Sequence, residues 1–369
     1  MKRIKVLSVF GTRPEAIKMA PLIKELEKYP EKVESVVCVT AQHREMLDSV
    51  LQLFDITPEY DLDLMKVGQT LTEITSEGLV KLERVIKAAN PALILVHGDT
   101  TTTFVASLAA FYQQIPVGHV EAGLRTCNKY SPFPEEINRQ LAGVVADLHF
   151  APTQNAVQNL LNEGKKSGVY LTGNTVIDTF VYTLSVPFTH PVLDKIGDNR
   201  MILLTTHRRE NHGLPMKNIF NAVLQLLEKY DDLHIVFPVH PNPLVANLAA
   251  KLLGKNKRIN MIKPLDVVGF HHFMSRATLI LTDSGGIQEE APTLGIPVLV
   301  LRDTTERPEG VTSGATRLVG TRTCEIVKVT SKLLEDKQAY SLMVQANNPY
   351  GDGQASSKIV QTILEYFKV

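Results

Sequence analysis

The chain has 369 residues, 44% hydrophobic and 21% charged, which is typical of a globular protein of about two domains. Its 39 basic and 39 acidic residues give a net charge of zero, which argues against a protein that binds nucleic acid or a membrane surface through basic excess. The cysteines, Cys38, Cys127 and Cys324, form neither a disulfide framework nor a CxxC metal pair, so we expect a reducing cytoplasm.

The N-terminal segment MKRIKVLSVFGTRPE combines basic residues with a hydrophobic run, as a signal peptide does. The run is too short for a signal peptide, and Gly-Thr-Arg-Pro follows it without a small-residue cleavage site. We therefore predict that it forms the first strand of a sheet. No other run approaches the ~18 apolar residues that a membrane span needs, so we expect no membrane partner.

Apolar, β-branched runs alternate along the chain with helical patterns. They predict strands over residues 4–10, 33–40, 92–99, 116–121, 148–153, 169–173, 201–207, 233–240, 259–264, 278–284 and 297–303. Helices are predicted over residues 15–28, 72–89, 101–112, 135–146, 216–229, 286–294 and 355–368. The runs are almost continuously hydrophobic, which marks strands covered on both faces. This order predicts parallel sheets in an α/β fold.

The strand–helix series occurs twice, and the weakest pattern between the two lies at residues 185–199, so we expect the domain boundary in or just before this stretch. We predict an N-terminal Rossmann-like domain over residues 1–175 and a C-terminal one over 176–354. By pattern alone, the last helix, over about 355–369, could pack on either half.

Unusual polar residues follow the predicted strands, where ligands sit in open α/β sheets. They are Arg13, Asp99 and Glu121 in the first half, and His207, His240 and Asp283-Ser284 in the second. Each of these residues, taken alone, could simply cap a helix or form a turn. Their shared topological position favours a single ligand site.

The clearest anion signal is LTDSGGIQEEAPTLGIP, in which Ser284, Gly285 and Gly286 lead from a strand into a short helix. Backbone N–H groups at such a start bind phosphate oxygens. Glu290 shares the face of Gly286 and suits a ribose diol. The alternative is an N-cap and a tight turn. No metal or other cofactor is expected, so cations such as Arg13 and Lys18 would neutralise a diphosphate.

Carboxylates form the second signal. Asp99, Glu121 and the pair Glu135-Glu136 all lie at predicted strand ends or helix starts in the first half. Each could be a helix cap. A carboxylate cluster is costly for simple anion binding but suits acid/base chemistry on the sugar of a sugar nucleotide.

Ten motifs along nearly the whole chain resemble those of the bacterial non-hydrolysing UDP-N-acetylglucosamine 2-epimerases: FGTRPEAIKMAPL, TAQHREMLD, VHGDTTTT, GHVEAGLRT, SPFPEEINR, TGNTVID, THRREN, LTDSGGIQEEAPTLGIPVL, RDTTERPE and NPYGDGQAS. The resemblance implies a glycosyltransferase-B fold, in which two Rossmann-like domains flank a cleft and the C-terminal helix returns to the first. It also implies that UDP-N-acetylglucosamine and UDP-N-acetylmannosamine interconvert by elimination and re-addition of UDP through 2-acetamidoglucal. The product would supply cell-surface polysaccharides.

The resemblance also assigns expected roles to individual residues. It implies acid/base roles for Asp99, Glu121 and Glu135, without saying which serves which face of C2, and a catalytic role for His207. Substrate-lining positions are implied for Arg13, Lys18, Arg139, His240, Phe270, Ser284, Gly285, Gly286, Glu290 and Arg307. Within that set, Glu290 would bind the ribose and Phe270 would pack on the uracil.

Some members of the family bind a second UDP-N-acetylglucosamine as an activator, which here implies a candidate allosteric site at Gln42, His43 and Arg44. The family is typically dimeric, so we expect a homodimer. Three alternatives stay open: a hydrolysing epimerase, a UDP-sugar glycosyltransferase of the same fold, and a non-catalytic UDP-sugar sensor.

Overall fold

The protein is described by a computed structural model over residues 3–41, 44–66 and 68–369, and the side chains of residues 44–46 lie outside this description. The chain forms two compact units, Met1–Tyr182 with Gly351–Val369, and Thr183–Tyr350. Each unit is built around one parallel sheet.

The first unit contains a sheet with the strand order β3-β2-β1-β4-β5-β6-β7, in which every pairing is parallel. Its strands are β1 (Ile4–Phe10), β2 (Val33–Val39), β3 (Tyr60–Asp61), β4 (Leu93–His97), β5 (Val117–Val120), β6 (Leu148–Ala151) and β7 (Val169–Leu171). The helices are α1 (Arg13–Leu26), α2 (Arg44–Leu53), α3 (Leu71–Ala89), α4 (Thr101–Tyr112), α5 (Glu135–Val145), α6 (Gln154–Asn162) and α7 (Thr175–Thr183).

The second unit contains a sheet with the strand order β10-β9-β8-β11-β12-β13, again parallel throughout. Its strands are β8 (Arg200–Thr205), β9 (Leu233–Pro238), β10 (Ile259–Ile262), β11 (Leu279–Thr282), β12 (Val298–Val300) and β13 (Thr316–Leu318). The helices are α8 (Pro191–Ile196), α9 (Leu214–Lys229), α10 (Pro243–Leu253), α11 (Val267–Arg276), α12 (Gly285–Glu290), α13 (Pro308–Thr312), α14 (Thr323–Glu335) and α15 (Lys337–Val344). Helix α16 (Ala355–Phe367) belongs to the first unit.

Helix α1 begins earlier than the sequence pattern predicts. Thr12 and Glu15 form a reciprocal capping box, so Arg13 is the first helical residue and Pro14 the second, whereas the prediction started the helix at residue 15. The caps satisfy backbone N–H groups that a helix start leaves without intrahelical partners. Arg13 and Lys18 therefore both lie on the helix that follows β1 directly.

Helix α16 is held on the first unit by a buried carboxylate of α7. Asp178 accepts hydrogen bonds from the backbone N–H of Ala355 at 3.1 Å and of Ser356 at 2.6 Å. Because Thr179 also bonds the carbonyl of Ile17 at 3.1 Å, α7 lies with the first unit. The two compact units divide between Tyr182 and Thr183, at the end of α7.

The strand prediction is accurate at the sheet centres and misses β3 and β13, which are two and three residues long. The short strand β3, which contains the exposed Asp61, pairs with the end of β2. Across residues 3–41, 44–66 and 68–369, none of the helices has the length and apolar character that crossing a membrane would require.

Candidate active site

Glu121 follows directly on β5, at the carboxyl edge of the first sheet. Its backbone φ of 61° lies in the left-handed region, which is uncommon for a residue other than glycine. Gly98 follows the neighbouring strand β4, also with positive φ, and a Cβ added there would lie 3.6 Å from Glu121 Oε1. Such conformations cluster where a side chain must be held in a fixed place, as in active sites.

Side chains from α1, from β4 and from the segment before α7 lie beside the Glu121 carboxylate. Lys18 of α1 forms an ion pair with it, and Asn174 Nδ2 donates a hydrogen bond to Glu121 Oε2 at 2.8 Å. His97, the last residue of β4, places Nε2 at 3.9 Å from the same oxygen. Burial lowers the pKa of His97 to about 3, so its imidazole is neutral at physiological pH. Lys18 therefore supplies the positive charge of this group.

Asp99 directly follows Gly98 and is paired with a different basic residue from the one that pairs with Glu121. The Arg139 guanidinium of α5 forms an ion pair with the Asp99 carboxylate, and Asn138 Nδ2 donates to the Asp99 carbonyl at 3.0 Å. Burial raises the pKa of Asp99, the Arg139 charge opposes this, and the Glu121 charge adds to it. A carboxyl group whose pKa is raised toward neutrality is suited to exchange protons.

The two carboxylates at the start of α5 differ in their surroundings. Glu136 is fully buried and accepts hydrogen bonds from the backbone N–H groups of Thr126 at 3.1 Å and Cys127 at 3.2 Å. It therefore fixes the loop before the helix. Glu135 is only half-buried. Arg139 Nη1 lies 3.6 Å from Glu136 Oε2.

Arg13 begins α1 at the same edge of the sheet, because β1 pairs directly with β4. It is half-buried, and its guanidinium forms no ion pair or hydrogen bond with the described part of the chain. It is therefore a cation available to a bound anion.

In the second unit, Asp283 organises the turn that follows β8. Its buried carboxylate accepts hydrogen bonds from Thr206 Oγ1 at 2.9 Å, from the backbone N–H groups of His207 at 2.9 Å and Arg208 at 3.0 Å, and from Asn211 Nδ2 at 2.9 Å. This is possible because Thr205 and Thr282 are register partners at the ends of adjacent strands. Asp283 thus positions His207 and Arg208.

His207 is held from two sides. Its Nδ1 lies 3.4 Å from Asp283 Oδ1, and its ring stacks on that of His240 with centroids 5.4 Å apart and planes 12° apart. Burial lowers the pKa of His207, while the Asp283 charge opposes that shift. Exposed His240 follows β9 and accepts a hydrogen bond on Nδ1 from the Asn242 backbone N–H at 3.1 Å.

The Ser-Gly-Gly turn joins β11 to α12. Ser284 is the N-cap residue, and its side chain makes no capping hydrogen bond. A Cβ on Gly285 would lie 3.7 Å from Arg208 Nη2, and one on Gly286 would lie 3.1 Å from Glu290 Oε1. The turn therefore brings an arginine and a carboxylate to its two glycines. Half-buried Phe270 lies on α11.

Two arginines near this turn already have carboxylate partners. Arg302 Nε donates to Glu210 at 2.6 Å and its Nη1 donates to Glu306 at 2.9 Å. Arg307, which was expected to line the substrate, forms an ion pair with the buried carboxylate of Glu289. Its charge is thus largely compensated within the protein. Arg208 has a looser contact of the same kind, because its Nη1 lies 3.7 Å from Glu306 Oε1, and its side chain is 36% exposed.

Comparison with known proteins matches the sequence of the chain to a family model. The family model described as UDP-N-acetylglucosamine 2-epimerase matches residues 24–364. The chain belongs to the UDP-N-acetylglucosamine 2-epimerase family.

Individual relatives agree with this assignment. The UDP-N-acetylglucosamine 2-epimerase of Bacillus subtilis is 58% identical over 368 residues, covering 100% of this chain and 97% of the relative. A solved structure from Listeria monocytogenes is 54% identical, with a TM-score of 0.96 and coverage of 100% and 97% of the two chains. The epimerase of Neisseria meningitidis bound to UDP-GlcNAc is 51% identical, with a TM-score of 0.85 and coverage of 98% and 100%.

The family resemblance, the glycosyltransferase-B type of fold and the expectation of an enzyme are thereby confirmed. In this epimerase-family chain, the structure brings together Lys18, Asp99, Glu121 and Arg139 in the first unit. In the second unit, His207 stacks on His240 and donates its backbone N–H to Asp283, which precedes Ser284, while Glu290 ends the helix α12 that begins after Ser284.

Sequence reasoning missed two side chains beside Glu121, namely Asn174 and His97. Asn174 lies in the TGNTVID motif and His97 directly precedes the Gly-Asp pair, so position next to a motif is the signal that could have found them. The expected activator residues Gln42 and His43 lie outside the described residues, as does the side chain of Arg44.

Proposed function

We propose that this chain interconverts UDP-N-acetylglucosamine and UDP-N-acetylmannosamine without hydrolysis. The observation that carries the proposal is the pair of carboxylates at the ends of adjacent strands, Asp99 with Arg139 and Glu121 with Lys18. Proton removal and proton delivery at one carbon need two such groups. The family match and the relative bound to UDP-GlcNAc support the choice of substrate.

In the first half of the reaction, one carboxylate takes the proton from C2 while the bond between C1 and the diphosphate oxygen breaks. The electron pair of the C2–H bond forms the C1=C2 double bond of 2-acetamidoglucal, and UDP leaves with the electrons of the C1–O bond. In the second half, a diphosphate oxygen adds back to C1 as a carboxyl group protonates C2 on the opposite face. Asp99, Glu121 and Glu135 supply these proton carriers.

Lys18 and Arg139 make this arrangement compatible with an anionic substrate. Their charges compensate Glu121 and Asp99, so a diphosphate does not meet two bare carboxylates. Arg13 adds a cation whose charge is not used within the described protein.

The second unit holds UDP in this proposal. Ser284, Gly285 and Gly286 face the diphosphate together with Arg208, and the stacked His207 and His240 stabilise the charge that develops on the leaving oxygen. Arg307 contributes through its fixed position beside Glu289. Glu290 accepts hydrogen bonds from the ribose, and Phe270 packs on the uracil.

The setting of the reaction follows from the family resemblance. We propose that the enzyme acts as a homodimer in the cytoplasm and that UDP-N-acetylmannosamine supplies cell-surface polysaccharide synthesis. The three free cysteines, Cys38, Cys127 and Cys324, support a reducing compartment.

The proposal is tested by incubating the enzyme with UDP-N-acetylglucosamine in heavy water and following the sugar by NMR. We expect the manno epimer, with deuterium at C2 and no accumulating free sugar. Free N-acetylmannosamine would select a hydrolysing enzyme, transfer to an added acceptor would select a glycosyltransferase, and an unchanged mixture would select a sensor.

A second UDP-N-acetylglucosamine would act as an activator in this proposal. Initial rates with pure UDP-N-acetylmannosamine, with and without traces of the gluco epimer, test it. We expect a lag that the traces remove, and a linear start without stimulation would contradict activation.

A further inference from the structure

A chain of buried hydrogen bonds supports Glu290 from behind. His271 of α11 has a side chain only 2% exposed, and its Nε2 lies 3.2 Å from Glu290 Oε2. The other ring nitrogen, Nδ1, lies 2.7 Å from Thr183 Oγ1. Thr183 is the last residue of α7 and the first residue of the second unit. The three side chains thus form the series Thr183, His271, Glu290.

Contacts at both ring nitrogens fix the orientation of the His271 imidazole. A carboxylate oxygen accepts hydrogen bonds, so Glu290 Oε2 accepts one from His271 Nε2–H. On the other side of the ring, the Thr183 hydroxyl lies within hydrogen-bond distance of Nδ1, and a hydroxyl can donate or accept there. The threonine therefore holds the ring in the orientation in which the histidine contacts the carboxylate.

The other carboxylate oxygen, Oε1, lies beside Gly286. A Cβ on Gly286 would come within 3.1 Å of Glu290 Oε1, so the glycine leaves room on that oxygen. The Glu290 side chain is 16% exposed, in contrast to the enclosed imidazole. One carboxylate oxygen is thus fixed inside the protein, while the group as a whole still reaches the surface.

We infer that His271 is a positioning residue for nucleotide recognition: oriented by Thr183, it holds the Glu290 carboxylate in the geometry that binds the two ribose hydroxyls of a uridine nucleotide. The inference rests on the proposed role of Glu290. It adds that affinity for the ribose depends on a residue that does not touch the nucleotide.

The test compares UDP with 2′,3′-dideoxyuridine diphosphate, which lacks both hydroxyls, by isothermal titration calorimetry on the full-length protein. Two matched variants separate the bonds of the imidazole. The amide of His271→Gln reaches the position of Nε2 and keeps the bond to Glu290, whereas the amide of His271→Asn reaches only the position of Nδ1. Thr183→Val removes the hydroxyl that contacts Nδ1 and orients the ring.

We expect wild type to bind UDP at least about tenfold more tightly than the dideoxy analogue, since hydrogen bonds to a charged group are involved. His271→Asn should reduce this preference about tenfold and leave affinity for the analogue unchanged. His271→Gln should keep most of the preference, and Thr183→Val should lose a smaller part of it.

Two results would overturn the inference, and they are distinguishable. A UDP preference that disappears in Glu290→Ala but persists in His271→Asn would refute the role of His271 and leave Glu290 as the ribose ligand. Equal affinity of wild type for the two ligands would refute the ribose role of Glu290 and the inference with it. A purely structural role of His271 predicts equal losses for both ligands.

Discussion

Replacing Arg139 by Met should make the stability of the protein depend on pH through Asp99. Burial already raises the pKa of Asp99, and the Arg139 guanidinium is the main group that opposes this rise. Without that charge the pKa of Asp99 rises further. The free energy of unfolding lost through buried, ionised Asp99 has an upper limit, because the carboxyl group can take up a proton instead. Protonating a carboxyl group with an ordinary pKa at neutral pH costs about 4 kcal/mol. Because the Asp99 side chain is 28% exposed, we expect about 2 kcal/mol at neutral pH.

The raised pKa of Asp99 determines whether stability falls or rises with pH. A raised pKa in the folded state favours the protonated carboxyl group. The loss of stability is therefore absent below the pKa of Asp99 in the unfolded chain, which is about 3.9. Above that pH the loss grows by at most about 1.4 kcal/mol per pH unit. Urea denaturation between about pH 5 and about pH 7 should show the gap between wild type and Arg139→Met widening with pH. The control is Arg139→Met with Asp99→Asn, for which the widening should vanish. A gap that stays constant with pH, or that widens equally in the control, would refute the reasoning.

Two further predictions concern single carboxylates. Asp99→Asn should lower turnover about 10²-fold or more while largely preserving UDP affinity, because it removes a proton carrier but not the UDP site. Steady-state kinetics and calorimetry check this, and near-wild-type turnover would exclude Asp99 from the mechanism. Asp178→Ala should remove the cap of α16 and cost about 2 kcal/mol, because two backbone N–H groups lose a charged acceptor. Hydrogen exchange over residues 355–367 should accelerate, and unchanged protection there would contradict the proposed role of the cap.

The parts of the fold that sequence predicts are those with a strong local pattern. The run over residues 4–10 matches β1 residue for residue, because buried parallel strands are almost continuously apolar. β3 has only two residues and therefore no periodicity to detect. Helix α15 has no buried residue and thus no apolar stripe on one face, which makes it hard to detect. Helix α14 was not predicted either, although Ile326, Val329 and Leu333 are buried on one of its faces.

Some residues of the candidate site could be predicted from the sequence, whereas their contacts and backbone conformations could not. Asp99 and Glu121 could be singled out because carboxyl ends of parallel strands meet at one edge. The Lys18 partner of Glu121 is 103 residues away in sequence, so no local pattern connects the two. The positive φ of Glu121 could not be predicted from the sequence either, because glycine or asparagine adopts such a conformation far more often than glutamate. Pairing and backbone geometry at this site are products of the tertiary structure.

The central claim is that the bond between C1 and the diphosphate breaks during epimerisation. The most direct measurement uses UDP-N-acetylglucosamine labelled with ¹⁸O at the oxygen that joins C1 to the β-phosphorus, followed by ³¹P NMR. If UDP leaves and adds back, the label must move into the non-bridging positions of the β-phosphate as epimer forms. Epimerisation with the label still confined to the bridge would contradict elimination and the roles assigned to both carboxylates.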